Sequence, residues 1–156
     1  MYHAASNFFN VSSISFCGCF RYSVSHDNWT FVDDTPVSTY GMACAQANYN
    51  SLDSILCLDG LNNPPSLFVL DLTTETWSTS PASPPLPRRV SAKAFISGRI
   101  LVFASGQDPD AGWTTLTTGI GFDLDAGVWE SLPGSYGGAF GIRNFVVHEY
   151  EVYQRV

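Results

Sequence analysis

The chain has 156 residues, 45% of them hydrophobic, 14% aromatic and only 13% charged, a composition that supplies one hydrophobic core for one domain. Seven Lys plus Arg against fourteen Asp plus Glu give a formal charge of -7, which leaves no clustered basic surface to displace counterions from a phosphate backbone and excludes nucleic acid as an expected partner. No apolar run reaches about 18 residues, so no membrane-spanning helix and no membrane partner are expected.

Residues 1–13 read as an N-terminal tail. They lack a basic region ahead of a long apolar stretch and a small-residue cleavage site, so a secretory leader is not supported; this favours the cytoplasm, with secretion the alternative if the natural start lies upstream. The sequons Asn10-Val11-Ser12 and Asn28-Trp29-Thr30 are acceptors only in a secreted chain. Cys17, Cys19, Cys44 and Cys57 all lie in the first 60 residues. Cys17 and Cys19 fall on one face of a strand, an awkward geometry for bonding each other. Cys44 and Cys57 could face each other across a hairpin and form a disulfide in an oxidising compartment. The reading preferred here is that all four are buried thiols packing as small apolar side chains. No zinc-type CxxC pair occurs.

Strands are expected at about 14–23 and 28–33, and Trp29 opens the second of them. Trp29, Trp77 and Trp129 lie 48 and 52 residues apart, a period of about 50. Asp71 in LFVLDLTTETW and Asp123 in GIGFDLDAGVW each stand six residues before their Trp, and Ser23 holds that place in the earliest copy. The short apolar runs ahead of each Asp predict strands. The Asp carboxylate accepts from backbone N–H groups two residues on and starts a turn. Thr73 to Glu75 and Asp125 to Gly127 then form the bends, Gly127 being suited to positive φ. Each Trp opens the next strand and serves packing.

After each Trp a proline-containing stretch leads into a further pair of strands. Pro36 precedes Tyr40 to Ala45, a bend at Asn48 to Ser51, and Ile55 to Gly60; Pro81 to Pro87 precede Arg88-Arg89, Val90 to Ile96, a turn at Ser97 to Arg99, and Ile100 to Gly106; Pro133 precedes Tyr136 to Gly141 and a run from Val146 to Tyr153. Each period thus holds four short strands, and no helical pattern competes.

A four-stranded antiparallel unit repeating at about 50 residues is the pattern of a propeller blade. The chain resembles the kelch repeat family in its strands ending at Gly60 and Gly106, in Asp71 and Asp123, in Trp77 and Trp129, and in Pro87-Arg88 ahead of the next unit. It departs from the family where the usual double glycine is Asp59-Gly60 and Ser105-Gly106. The resemblance implies an all-β fold, a kelch-type β-propeller arc of about three blades' worth of four-stranded sheets over residues 14–156, with a partial blade at 14–35, blades at 36–82 and 83–132, and a partial blade at 133–156. Propellers close with about four to eight blades. The arc is therefore expected to be incomplete: either a fragment of a longer propeller or one of two copies that associate to close a ring.

His3, His26 and His148 show no HxH or HExxH spacing, no GxSxG elbow occurs, and Gly137 to Gly141 lead into a strand-like run in place of a helix. No catalytic residue, metal or cofactor is expected. Kelch-type propellers also occur in copper radical oxidases related to galactose oxidase; that alternative would draw on Tyr22, Tyr40, Tyr136, Cys17 and Cys19, without the histidines such a site needs. The resemblance points to a protein-interaction and scaffold module with protein partners, bound by loops on one face. Tyr40, Arg88, Arg89 and Tyr136 precede the first strands of units, and Gln107, Asp108 and Asp110 follow a second strand. Arg and Tyr commonly anchor interfaces. Trp113, outside the period, serves either as a loop anchor or as a lid on a sheet edge.

Overall fold

A computed structural model of the chain describes residues 2–4, 18–23, 25–39, 41–132, 144–148 and 151–155. Among them there are strands and turns and no helix. In order the strands are β1 (Tyr2–Ala4), β2 (Gly18–Ser23), β3 (Asn28–Asp34), β4 (Ala43–Tyr49), β5 (Leu52–Asp59), β6 (Ser66–Asp71), β7 (Thr76–Thr79), β8 (Lys93–Ser97), β9 (Ile100–Ala104), β10 (Gln107–Asp108), β11 (Thr114–Thr115), β12 (Gly119–Asp123), β13 (Val128–Leu132), β14 (Asn144–His148) and β15 (Glu151–Arg155). The fold is all-β, built from small antiparallel sheets.

Two sheets share one plan. The first is the meander β4-β5-β6-β7 and the second is β8-β9-β12-β13. The second differs by an insertion, the short ribbon β10-β11 between β9 and β12, in a stretch the sequence presents as a loop. The sheet β1-β2-β3 precedes them, and β14-β15 form a separate hairpin. Tyr2–Ala4, inside the stretch read as a tail, pairs with β2. The expected strand opening at Tyr136 to Gly141 lies outside the described residues.

Register explains how the two larger sheets pack. Side chains alternate between faces along a strand, and the pairings Ala43↔Leu58↔Leu67 and Ala45↔Leu56↔Val69 place these residues, with Tyr49, on one face of the first sheet. Ile96↔Leu101↔Phe122↔Trp129 and Ala94↔Phe103↔Ile120 lie on one face of the second. These two faces form a single core, in which Leu56, Leu58, Leu67, Leu101, Phe103 and Phe122 are fully buried. Aromatic rings span it: Tyr49 to Phe122 at 5.7 Å and Phe122 to Trp129 at 5.0 Å between centroids. The first strands β4 and β8 lie side by side. β5 and β6 read as continuous apolar runs because both faces of that sheet are covered: Cys57, Phe68 and Leu70, on the side away from this core, are buried as well.

The turns before the tryptophans follow the sequence closely. Asp71 Oδ1 accepts from Thr73 N at 2.7 Å, and Asp123 Oδ1 accepts from Asp125 N and Ala126 N at 3.0 Å each. The residue two before each Trp takes a left-handed backbone: φ is 46° at Asp27, 56° at Glu75 and 67° at Gly127. The degraded first copy therefore keeps the left-handed residue of the other two, although Ser23 replaces its aspartate. Trp77 and Trp129 lie partly buried against their sheets, and Trp129 Nε1 donates to Ala82 O at 3.0 Å, pinning the proline-rich linker to the second sheet.

One expectation is overturned. Cys44 and Cys57 are joined by a disulfide across β4 and β5, where they are direct register partners with Cα atoms 4.1 Å apart. The buried-thiol reading survives for Cys19, whose pKa is raised by burial and by the nearby Asp33 and Glu75 carboxylates. Cys17 lies outside the described residues.

Candidate binding face

In an antiparallel meander the segment leading into the first strand and the loop after the second strand meet at one end of the sheet. In this chain those segments are Thr35 to Met42 and Gly60 to Pro65 for the first sheet, and Arg88 to Ala92 and Ser105 to Thr118 for the second. The sequence places the two glycines that close β5 and β9 here, and the structure separates their roles. Gly106 has φ +99° and lies against the Val90 and Ala92 backbone. Gly60 is required by space: a Cβ there would stand 2.1 Å from Arg89 O. Ser105, immediately before Gly106, takes φ 58°.

The segments are stitched together by hydrogen bonds. Val90 and Gln107 exchange backbone bonds of 2.9 and 2.8 Å, and Ser91 N donates to Gly41 O at 2.7 Å. Asp59, fully buried at the end of β5, accepts from Thr39 Oγ1 at 2.5 Å, Leu61 N at 3.1 Å and Asn62 Nδ2 at 2.8 Å. This network was missed in the sequence, where Asp59 registers only as a substitute for glycine.

Arg88 ties the two loop systems to each other. Its Nη1 donates to Leu61 O, while Nε and Nη2 grip both oxygens of Asp110, the Nε bond being 2.7 Å. The Asp110 pairing raises the Arg88 pKa, and the Arg88 hydrogen bond lowers that of Asp110, so the pair stays ionised. Arg89 points the other way. It is only 2% exposed and donates from Nη1 to Ser105 O at 3.1 Å and Thr118 O at 2.7 Å, and from Nη2 to Thr118 Oγ1 at 2.8 Å. Desolvation lowers its pKa. Arg89 is therefore a brace beneath the loops, its guanidinium engaged by Ser105 and Thr118.

The surface above that brace is the β10-β11 ribbon. Asp108 is buried, taking Asp110 N on Oδ1 at 2.9 Å and Trp113 N on its carbonyl at 2.8 Å. Gln107 Nε2 donates to Trp113 O at 3.0 Å. Trp113, with φ 65°, is held at the tip and is 41% exposed beside Asp110, Ala111 and Gly112. Asn63 and Pro64 are exposed on the loop that Arg88 anchors. Of the residues singled out from sequence, Arg88, Gln107, Asp108 and Trp113 come together here. Tyr40 and Tyr136 lie outside the described residues.

Of the residues the oxidase alternative draws on, Tyr22 and Cys19 lie on β2, and Tyr40, Tyr136 and Cys17 lie outside the described residues. Tyr22 bonds Asp27 in the β2-β3 hairpin, and Cys19 is buried on the same strand. Among the described residues no group of three or more His, Cys, Asp or Glu is placed to hold a metal ion. In comparisons with known proteins, no family model matches the chain and no curated sequence matches it.

Proposed function

We propose that the chain is a protein-interaction module of the kelch type, part of an incomplete β-propeller, which binds protein partners through the loops around Arg88. The observation that carries the reading is the repetition of one four-stranded meander, two copies stacked face to face with β4 beside β8 and with their lead-in and exit loops at one end. Neighbouring propeller blades require that arrangement. The loop face it creates is rigid, because the Arg88 fork ties Leu61 to Asp110. On it Trp113 offers a large side chain of the type that anchors interfaces.

The test compares affinity capture by the wild-type chain with capture by Asp110→Ala/Trp113→Ala, and with Thr74→Ala at the opposite end of the first sheet as control. Partners lost from the double variant and kept by the control are expected. An identical set of captured proteins from all three would sink the loop-face reading.

A further inference from the structure

We propose that Asn28 is an N-glycosylation acceptor and that the chain matures in an oxidising, secretory compartment. Two unrelated features converge on this. The first is the Cys44–Cys57 disulfide, a bond of a kind that persists where thiols are oxidised and is rare where glutathione and thioredoxin keep them reduced. The second is the placement of the Asn28-Trp29-Thr30 sequon. It starts β3 immediately after the Ser25 to Asp27 turn, and all three of its residues are exposed.

The geometry suits an enzyme that must read an extended acceptor peptide. Among the described residues β3 is an edge strand, paired on one side with β2. Asn28 faces Ser23 in the last pair of the ladder before the turn. Alternation along the strand puts the Asn28 amide and the Thr30 hydroxyl on one side and turns Trp29 to the other, where it stacks on Tyr22 at 5.0 Å. The sequon thus offers amide and hydroxyl together on an accessible strand, as a surface acceptor must.

The reaction needs a lipid-linked oligosaccharide diphosphate as donor. A bond forms between Asn28 Nδ2 and the anomeric carbon of the sugar, the bond from that carbon to the diphosphate oxygen breaks, and the lipid diphosphate leaves with the electron pair. One amide proton passes to a base of the transferase, and no electrons are exchanged with an oxidant. The proposal is independent of whether the loop face binds proteins.

The experiment is peptide mass mapping of the full chain purified, without reductant, from cells that make it naturally, after thiol trapping and peptide-N-glycosidase treatment in heavy-oxygen water. The expected result is Asn28 recovered as heavy-oxygen-labelled aspartate, with the Cys44 and Cys57 peptides linked. Asn28 recovered as unmodified asparagine throughout, or both cysteines recovered as trapped thiols, would overturn it. Asn28→Gln and Thr30→Ala, made in the same cells, should each abolish the glycan and leave the melting temperature unchanged, since both side chains are exposed. A glycan that survives both variants would belong to Asn10 and would also overturn the assignment.

Discussion

Arg88 and Arg89 have two different roles, and the chain needed its fold to separate them. A Pro-Arg-Arg stretch before a strand looks like a surface clamp, yet one arginine is a clamp between loops and the next is a buried brace. Removing the brace strips the Arg89 donors from the buried Ser105 carbonyl and from the part-buried Thr118 carbonyl, which keeps its bond from Ser105 N. Arg89→Ala is expected to cost about 3 kcal/mol in denaturant unfolding, within the range for disrupting buried charged hydrogen bonds. A loss below about 0.5 kcal/mol, the scale of an ordinary surface substitution, would show that the corner repairs itself. The same residue scale accounts for the two closing glycines. Gly106 serves a positive φ, whereas Gly60 makes room for the Arg89 carbonyl, a distinction invisible in the sequence because both read as the end of an apolar strand.

At the scale of elements, the Asp-initiated hairpins were legible because everything they need is local. The carboxylate, the N–H groups it accepts and the left-handed residue before Trp fall within seven residues. Backbone N–H donation, from Thr73 first for Asp71 and from Ala126 first for Asp123, lowers both pKa values in the folded chain, and Arg99 adds to the effect at Asp123. With folded values below unfolded ones, these groups stabilise the fold above the ordinary carboxylate range, and that stability is lost as pH falls through the lowered folded values. Thermal melts from about pH 5 to about pH 2 should therefore fall more steeply for wild type than for Asp71→Asn/Asp123→Asn. Parallel curves would reject the turns as the source. The β4-β5 hairpin carries its own staple. Cys44→Ala/Cys57→Ala, which opens a loop of 13 residues' separation, should lower unfolding free energy by about 3 kcal/mol, and reduction of the wild type should lower its melting temperature in the same direction. A reductant-insensitive melt would contradict the staple.

At the scale of the whole molecule, the sheets stack in one sense. The Trp129 side of the second sheet packs on the Ala43 to Tyr49 side of the first, and the corresponding aromatic side of the β2-β3 sheet faces outward. There Phe20 packs on Phe31 at 5.5 Å and Tyr22 on Trp29 at 5.0 Å, while Trp29 is 55% and Phe31 51% exposed. A sheet face of that kind invites a further sheet, which the proposed propeller would supply from a longer chain or from a second copy. Light scattering on the purified chain separates the two. Self-association is expected to give a dimer that Trp29→Ser/Phe31→Ser returns to monomer, and a well-dispersed wild-type monomer with a cooperative melt would sink the second-copy version.

The sequence by itself determined the strands of the two larger sheets, the period of about 50 residues, and the turns at Asp71 and Asp123, because these depend on alternation and on contacts a few residues long, but it did not show β1 or the β10-β11 ribbon. It singled out Arg88, Gln107, Asp108 and Trp113 without showing that Gln107 and Asp108 form a strand or which of the four face solvent. Only the tertiary structure decided that, since whether a side chain is a surface group or a brace depends on segments brought together from distant positions: Arg89 on Thr118, Arg88 on Leu61 and Asp110, and Asp59 on Thr39. The disulfide belongs with these. Cys44 and Cys57 stand 13 positions apart, and it was the hairpin register, fixed by the apolar faces on either side, that set them opposite each other.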